Sequence, residues 1–135
     1  MNKILVLGLA AAASLGAVSA TQAAGMEKIN GNWSTWGCNV SWFDIGDGSL
    51  TRYSKEERLP DNLVSKHDAN ITQDGNKLTI DYKWLGSDYK YTYNVMGDNN
   101  LLLDRLVVDK SVAFDRDNSN SRFKDRETSR CSPSA

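Results

Sequence analysis

Residues 77–95 read Lys-Leu-Thr-Ile-Asp-Tyr-Lys-Trp-Leu-Gly-Ser-Asp-Tyr-Lys-Tyr-Thr-Tyr-Asn-Val. Apolar and aromatic residues occupy every second position from Leu78 to Trp84, and the alternation restarts after Gly86-Ser87-Asp88 to run from Tyr89 to Val95. A period of two is typical of a strand that has one face buried and the other in water. Two such runs joined by a short glycine-containing turn predict an antiparallel hairpin.

Turn residues punctuate the chain on both sides of this hairpin, at Asp47-Gly48, Asp74-Gly75 and Gly97-Asp98-Asn99-Asn100. With the hairpin, the segments between turns make about eight short strands, a pattern typical of a barrel or a sandwich. Of the two we expect an all-β, small antiparallel up-and-down barrel. The further predicted strands are Trp33–Trp36, Asn39–Phe43, Ser49–Tyr53, Asn70–Gln73, Leu101–Val108 and Val112–Arg116.

Two segments depart from the strand pattern. Ser54 followed three residues later by Glu57 is a capping box, which predicts a short helix that ends at Leu59 before Pro60. Residues Asp61–Asp68 and the polar, charged tail beyond Asp117 are expected to be loops, the tail being solvated until Cys131.

The first 20 residues have the pattern of a secretory signal peptide. Lys3 supplies a positive charge, residues 4–18 are almost wholly apolar, and Val18-Ser19-Ala20 places small residues at a cleavage site. A membrane span would need about 20 consecutive apolar residues. We expect cleavage after Ala20, or as late as Ala24, and a single domain over residues 25–135 in a bacterial periplasm.

The two cysteines, Cys38 and Cys131, are expected to pair because an even cysteine count in a small exported domain usually forms a disulfide. A redox pair would more commonly have the C-x-x-C spacing. Closing so long a loop would restrict the unfolded chain by roughly 4–5 kcal/mol in the chain-entropy model.

Composition excludes several classes of function. The chain has 16 Lys+Arg against 17 Asp+Glu, a net charge of -1, whereas nucleic-acid binders normally carry a basic excess. One histidine and two cysteines exclude multi-histidine and four-thiolate metal sites. We therefore expect no metal, no cofactor, no nucleic-acid partner and no membrane span in the mature chain.

Gly31-Asn32-Trp33 is a G-x-W motif ahead of this β-rich sequence. It resembles the opening of lipocalin-like proteins of the calycin type. In that family the tryptophan closes one end of an eight-stranded barrel, a basic residue of the last strand packs on it, and a disulfide often ties the tail to the barrel. The resemblance implies structural roles for Trp33 and Arg116, makes Cys131 the tail cysteine, and places the binding site inside the barrel.

The aromatic hairpin carries the strongest indication of a binding site. Tyr82, Trp84, Tyr91 and Tyr93 can bury their rings and still present a hydroxyl or indole N–H to a ligand. The competing interpretation is ordinary cross-strand packing, since aromatic residues are common in strands.

Three other groups favour structural roles. Trp33, Trp36, Trp42 and Phe43 are expected to form core around the disulfide, and His67 is expected to lie in a surface loop. Asp115, Asp117 and Ser119 match the first ligand positions of a calcium loop. The later positions of such a loop do not match, because Asn120 and Arg126 stand where glycine and glutamate are required. A solvated turn is therefore expected instead.

We expect a monomeric, non-enzymatic binding protein that holds a small amphipathic or apolar ligand. The alternative is a periplasmic inhibitor or immunity-type protein. Such a protein would bind a protein target through the loops Asp44–Ser49, Asp61–Asp68 and Asp117–Asp125. An enzyme is not expected because the chain has neither a nucleophile-elbow motif nor a free catalytic thiol.

Overall fold

The computed structural model describes residues 28–131, and the expected signal peptide, with either cleavage site, lies outside the described residues. Nine strands and two single 3-10 turns, Pro60–Asn62 and Arg116–Asn118, account for most of the described chain. The strands are β1 Gly31–Ser34, β2 Ser41–Gly46, β3 Ser49–Ser54, β4 Leu63–Asp74, β5 Lys77–Trp84, β6 Ser87–Val95, β7 Asn100–Val108, β8 Ser111–Asp115 and β9 Glu127–Arg130.

The strands close into an antiparallel barrel of eight positions. Each strand from β1 to β7 pairs with the next one along the chain. The end of β7 pairs with β8, while the start of β7 pairs with β9, which also pairs with β1. Strands β8 and β9 thus share the eighth position, with residues 116–126 looping out between them. The predicted all-β barrel is confirmed.

The two strands of the central hairpin pair with each other as predicted, and the turn between them is shorter than predicted. Leu78 lies opposite Tyr93, Ile80 opposite Tyr91, and Tyr82 opposite Tyr89. The turn consists of Leu85 and Gly86, both with positive φ, so β6 already begins at Ser87. Positive φ at both residues suits a two-residue hairpin turn because its twist then matches that of the strands.

The barrel interior divides into two halves. The lower half, toward the Asp74–Lys77 and Met96–Asn100 connections, is filled by side chains that are almost wholly inaccessible: Ile29, Trp33, Ile45, Leu50, Ile71, Leu78 and Leu101. The upper half, toward the Leu85-Gly86 turn, contains Tyr82, Trp84, Tyr89 and Tyr91, most of which are only partly buried. The apolar core therefore closes one end and leaves the other end less tightly filled.

The predicted short helix does not form. Residues after Ser54 make a turn and then the 3-10 turn at Pro60–Asn62, in which Asp61 and Asn62 have positive φ. A capping box nucleates a helix only where an apolar stripe can pack on the core, and the turn residues here are exposed.

The predicted loop Asp61–Asp68 was also wrong, because β4 begins at Leu63 and runs for 12 residues. Its inward positions include Ser65 and His67, which are too polar to give a hydrophobic alternation. The prediction that the tail beyond Asp117 is a loop was wrong in part, since Glu127–Arg130 forms the closing strand β9.

No helix among residues 28–131 combines the length and the apolar composition that a membrane crossing requires.

Candidate functional site

The lower end of the barrel is closed by Trp33 and an arginine. Trp33 is fully buried, and its indole Nε1 donates to the carbonyl of Ile29 at 2.7 Å. The guanidinium of Arg130 lies 4.3 Å from the centre of the Trp33 ring. Arg130 also donates to the carbonyls of Asn30 at 2.7 Å, Asp98 at 3.0 Å and 3.1 Å, and Lys28.

Arg130 fills the position that the resemblance assigned to Arg116, so that assignment was wrong. Arg116 follows β8 and pairs with Asp104 at 2.6 Å instead. The reason is the division of the eighth strand: β8 ends before reaching Trp33, and β9, whose Arg130 is opposite Trp33, completes that position. Burial lowers the pKa of Arg130, and the negative charge of Asp98 acts in the opposite direction.

Gly31 allows the Arg130 guanidinium to lie close to the backbone of β1, as this closure requires. Its φ is +122°, and a Cβ built on it would lie 3.1 Å from an Nη1 atom of Arg130. A side chain here would be strained by the backbone and crowded by the guanidinium. The glycine and the tryptophan of the G-x-W motif therefore both lie beside the same arginine.

The predicted disulfide between Cys38 and Cys131 is confirmed, with a Cα–Cα distance of 5.6 Å. It joins the β1–β2 connection to the end of β9, next to the closing seam. A disulfide fits an oxidising, exported location.

The aromatic cluster near Cys38 does not form one core. Trp33 is buried, but Trp36 is 55% exposed and packs edge-on against Phe123 from the 116–126 loop, at 5.5 Å between ring centres. Trp42 stacks on Tyr53 across the β2–β3 pair. The expectation of a common core was therefore wrong for Trp36 and Trp42, whereas Trp33 and Phe43 belong to the core or pack against it.

A cavity of about 230 Å³ lies in the upper half of the barrel. Aromatic rings and hydroxyl groups form most of its wall. Among the described residues that line it, Arg52 alone carries a charge. The lining comprises Ser34, Thr35, Trp36, Ser41, Trp42, Phe43, Leu50, Arg52, Tyr53, Ile80, Tyr82, Tyr91 and Tyr93.

Three of the four predicted ligand-binding residues line this cavity. The rings of Tyr82, Tyr91 and Tyr93 form a parallel series, with centres 6.0 Å apart for Tyr82 and Tyr91 and 6.1 Å apart for Tyr91 and Tyr93. Tyr89 stacks on the outer side of Tyr82 at 5.6 Å. We call Tyr82, Tyr91 and Tyr93 the tyrosine series.

Burial raises the pKa of Tyr82 and of Tyr93 well above the ordinary value of a phenol. For Tyr82, the neighbouring Tyr91 adds to this effect and the positive charge of Arg52 opposes it. Both phenols are therefore neutral hydrogen-bonding groups at physiological pH.

Trp84, the fourth predicted residue, lies outside the cavity lining and holds Arg52 instead. The centre of the Arg52 guanidinium lies 4.2 Å from the centre of the Trp84 ring, which is cation–π geometry. A β-bulge follows Arg52 directly, where β3 and β4 change register. Bulges redirect side chains and are common beside functional sites.

His67 lies inside the barrel rather than in a surface loop. Its ring centre is 4.6 Å from that of Tyr82, and its Nδ1 lies 2.9 Å from the carbonyl oxygen of Lys83. Because a carbonyl only accepts, Nδ1 carries the hydrogen. Nε2 lies 2.8 Å from the hydroxyl of Ser65. His67 is thus held as a partner of the aromatic wall.

A second compartment of about 370 Å³ adjoins the first on the side of the 116–126 loop. Thr35, Trp36, Tyr91 and Tyr93 line both compartments. Phe123 and Arg126 cover the second one, and Arg126 lies 4.6 Å from the Trp36 ring centre.

The acidic turn at Asp115 has a structural role. The carboxylate of Asp115 accepts from the backbone N–H of Asp117 at 3.3 Å and from Asn118 at 3.0 Å, which caps the 3-10 turn. Within residues 28–131, no three His, Cys, Asp or Glu side chains are grouped so that they could hold a metal ion.

The chain matches no family model, no curated protein and no solved structure.

Arg52 is the site residue that the sequence analysis missed. The signal was present: Leu50 and Arg52 occupy alternate positions of a predicted strand, so a buried Leu50 places Arg52 on the interior face. A charged residue at an inward position of a strand indicates a function or a partner.

Proposed function

We propose that this protein is an exported, non-enzymatic, lipocalin-like binding protein that holds a small amphipathic ligand in the upper half of its barrel. The observation that carries the proposal is the cavity of about 230 Å³ beside the tyrosine series, above a packed apolar floor. A wall of aromatic rings with a few polar groups is the usual composition of a small-molecule site.

The size of the cavity limits the ligand. Ligand sites typically measure about 300–1,000 Å³, so the first compartment alone suits a molecule of one ring or a short chain. A longer ligand would extend past Tyr91 and Tyr93 into the second compartment, under Phe123.

Native mass spectrometry of the protein purified from the periplasm tests this proposal. A retained small molecule, released by denaturation and lost in the variant Tyr91→Trp, supports it because the larger ring would fill the cavity. A protein that carries no small molecule in either form contradicts it. Tyr89→Trp is the matched control, since Tyr89 lies outside the cavity lining.

We propose as a second candidate that the protein is an inhibitor or immunity-type protein that binds a protein target through the 116–126 loop. Phe123 is 42% exposed and Trp36 is 55% exposed, and Arg122 and Arg126 lie 4.8 Å and 5.4 Å from the Phe123 ring centre. Exposed aromatic and arginine side chains of this kind often anchor protein interfaces.

The two candidates separate in the same purification. A co-purifying protein that is lost in Phe123→Ser and retained in Tyr91→Trp supports the second candidate. The reverse pattern for a small molecule supports the first.

A further inference from the structure

We propose that Arg52 is an anion subsite, so that the ligand of the barrel is an amphiphile with a negatively charged head group, such as a carboxylate. This inference rests on the proposed binding function and specifies the chemical class of the ligand.

Arg52 carries an unpaired charge within the described chain. The Nη1 atom of Arg52 is inaccessible to solvent and has no hydrogen-bond partner within residues 28–131. No carboxylate of those residues lies within ion-pair distance of its guanidinium. A buried donor on a charged group is costly when unsatisfied, and arginine stays protonated under all ordinary conditions.

Other arginines in the barrel show how the chain satisfies a guanidinium that has a structural role. Arg130 donates to the backbone carbonyls of Lys28, Asn30 and Asp98, and Arg116 donates to Asp104 through Nε at 3.0 Å and Nη2 at 2.6 Å. Arg52 differs from both: it lines the cavity, and its Nη1 has no acceptor within the described residues.

Trp84 lies against the Arg52 guanidinium. The central carbon of the group is 4.2 Å from the centre of the indole ring, so the indole covers one side of it. Arginine recognises carboxylates and phosphates through its N–H groups, often with two parallel hydrogen bonds. We therefore assign Trp84 as a positioning residue for the guanidinium.

The surroundings of the guanidinium suit an anion. The tyrosine series lines the same cavity as Arg52, and a phenol hydroxyl can donate to an oxyanion. The lining residues within the described chain include no Asp or Glu that would repel one. Leu50, Ile80 and Phe43 form the apolar remainder, which suits the uncharged part of an amphiphile.

The test uses three probes of matched shape: 3-phenylpropanoate, 3-phenylpropanamide and 3-phenylpropylammonium, which carry charges of -1, 0 and +1. Binding to the full mature chain is measured by calorimetry and by shifts of the tryptophan indole resonances. We expect the carboxylate to bind at least about tenfold more tightly than the amide, because a charge-assisted pair with arginine is worth more than a neutral hydrogen bond. The ammonium probe should bind most weakly.

The variant Arg52→Gln should remove the preference for the carboxylate and leave the affinity for the amide within about twofold. Arg105→Gln is the matched control, since Arg105 lies outside the lining of this cavity, and it should keep the preference. Trp84→Leu should weaken binding of the carboxylate more than that of the amide.

Each outcome is informative. Equal binding of the carboxylate and the amide, or a preference that survives Arg52→Gln, overturns the anion subsite while the binding function stands. Failure of all three probes to bind overturns both. The thermal midpoint of the ligand-free Arg52→Gln variant should equal or exceed that of the wild type, and a marked decrease would assign Arg52 to the structure instead.

Discussion

The two halves of the barrel interior are built from the same strands and differ in how completely they are filled. In the lower half Trp33, Leu78 and Leu101 are wholly inaccessible, and Arg130 seals them with hydrogen bonds to backbone carbonyls. In the upper half Arg52 faces a cavity with an unsatisfied Nη1. Arg130 therefore completes the fold, whereas we propose that Arg52 is available to a ligand.

The largest expected effect tests whether stability resides in the lower half. Trp33→Ala should lower the free energy of unfolding by about 3–5 kcal/mol, because it leaves a cavity in a fully packed region. Trp84→Ala removes the same side chain from the upper half and should cost less than half as much. Urea denaturation followed by circular dichroism measures both. Equal losses would contradict the division into two halves.

Removal of the disulfide should have the next largest effect. The double variant Cys38→Ser/Cys131→Ser should lose about 2–5 kcal/mol of stability, because the bond restricts a loop of 93 residues in the unfolded chain. Chemical denaturation of the variant, with the reduced wild type as the control, gives the number. An unchanged midpoint would contradict a role of the disulfide at the seam.

The two satisfied arginines provide a finer comparison. Arg130→Gln should lower stability by about 1.5–3 kcal/mol, because it removes several hydrogen bonds from a charged donor. Arg116→Gln should cost at most about 1 kcal/mol, since the Arg116–Asp104 pair is partly exposed to solvent. The unfolding midpoints of the two variants show which loss of stability is larger. A larger loss for Arg116→Gln would contradict the assignment of Arg130 as the closing arginine.

The smallest effect is spectroscopic and concerns the tyrosine series. Burial raises the pKa of Tyr82 and Tyr93 in the folded state, so the fold favours their neutral form. That contribution to stability is present below the unfolded pKa of about 10 and is lost as the pH rises above it. Alkaline titration at 295 nm should therefore show two tyrosines that ionise late, together with unfolding.

The variants Tyr82→Phe and Tyr93→Phe should each remove one of these late ionisations. Ionisation of all five tyrosines in one step near the ordinary phenol pKa, with the fold intact, would contradict their burial.

The sequence predicted the parts of the fold that local pattern determines. Alternation placed the β5–β6 hairpin, and turn residues placed most of the other boundaries. Prediction from the sequence failed where tertiary contacts determine the secondary structure. Strand β4 includes Ser65 and His67 because the barrel pairs them with β3. The polar segment Glu127–Arg130 becomes a strand because β1 and β7 offer it open edges.

Part of the cavity wall follows from the sequence pattern. The period of two brought Tyr82, Tyr91 and Tyr93 to one wall, as predicted, but the role of Trp84 beside Arg52 depends on which strands are neighbours. The closing arginine could not be predicted from the sequence, because the interruption of the eighth strand by residues 116–126 leaves no mark in the alternation.

The pairing of β9 with β1 has a consequence for the order of folding. Every strand from β1 to β8 pairs with its neighbour in sequence, so those hairpins can form early at low entropic cost. The pairing of β9 with β1, in which Ser129 lies opposite Ser34 and Arg130 opposite Trp33, instead joins the two ends of the described chain. Contacts of such separation slow folding, so we expect barrel closure to be the late, rate-limiting event. Oxidation of Cys38 and Cys131 before closure would hold the two ends together and accelerate it.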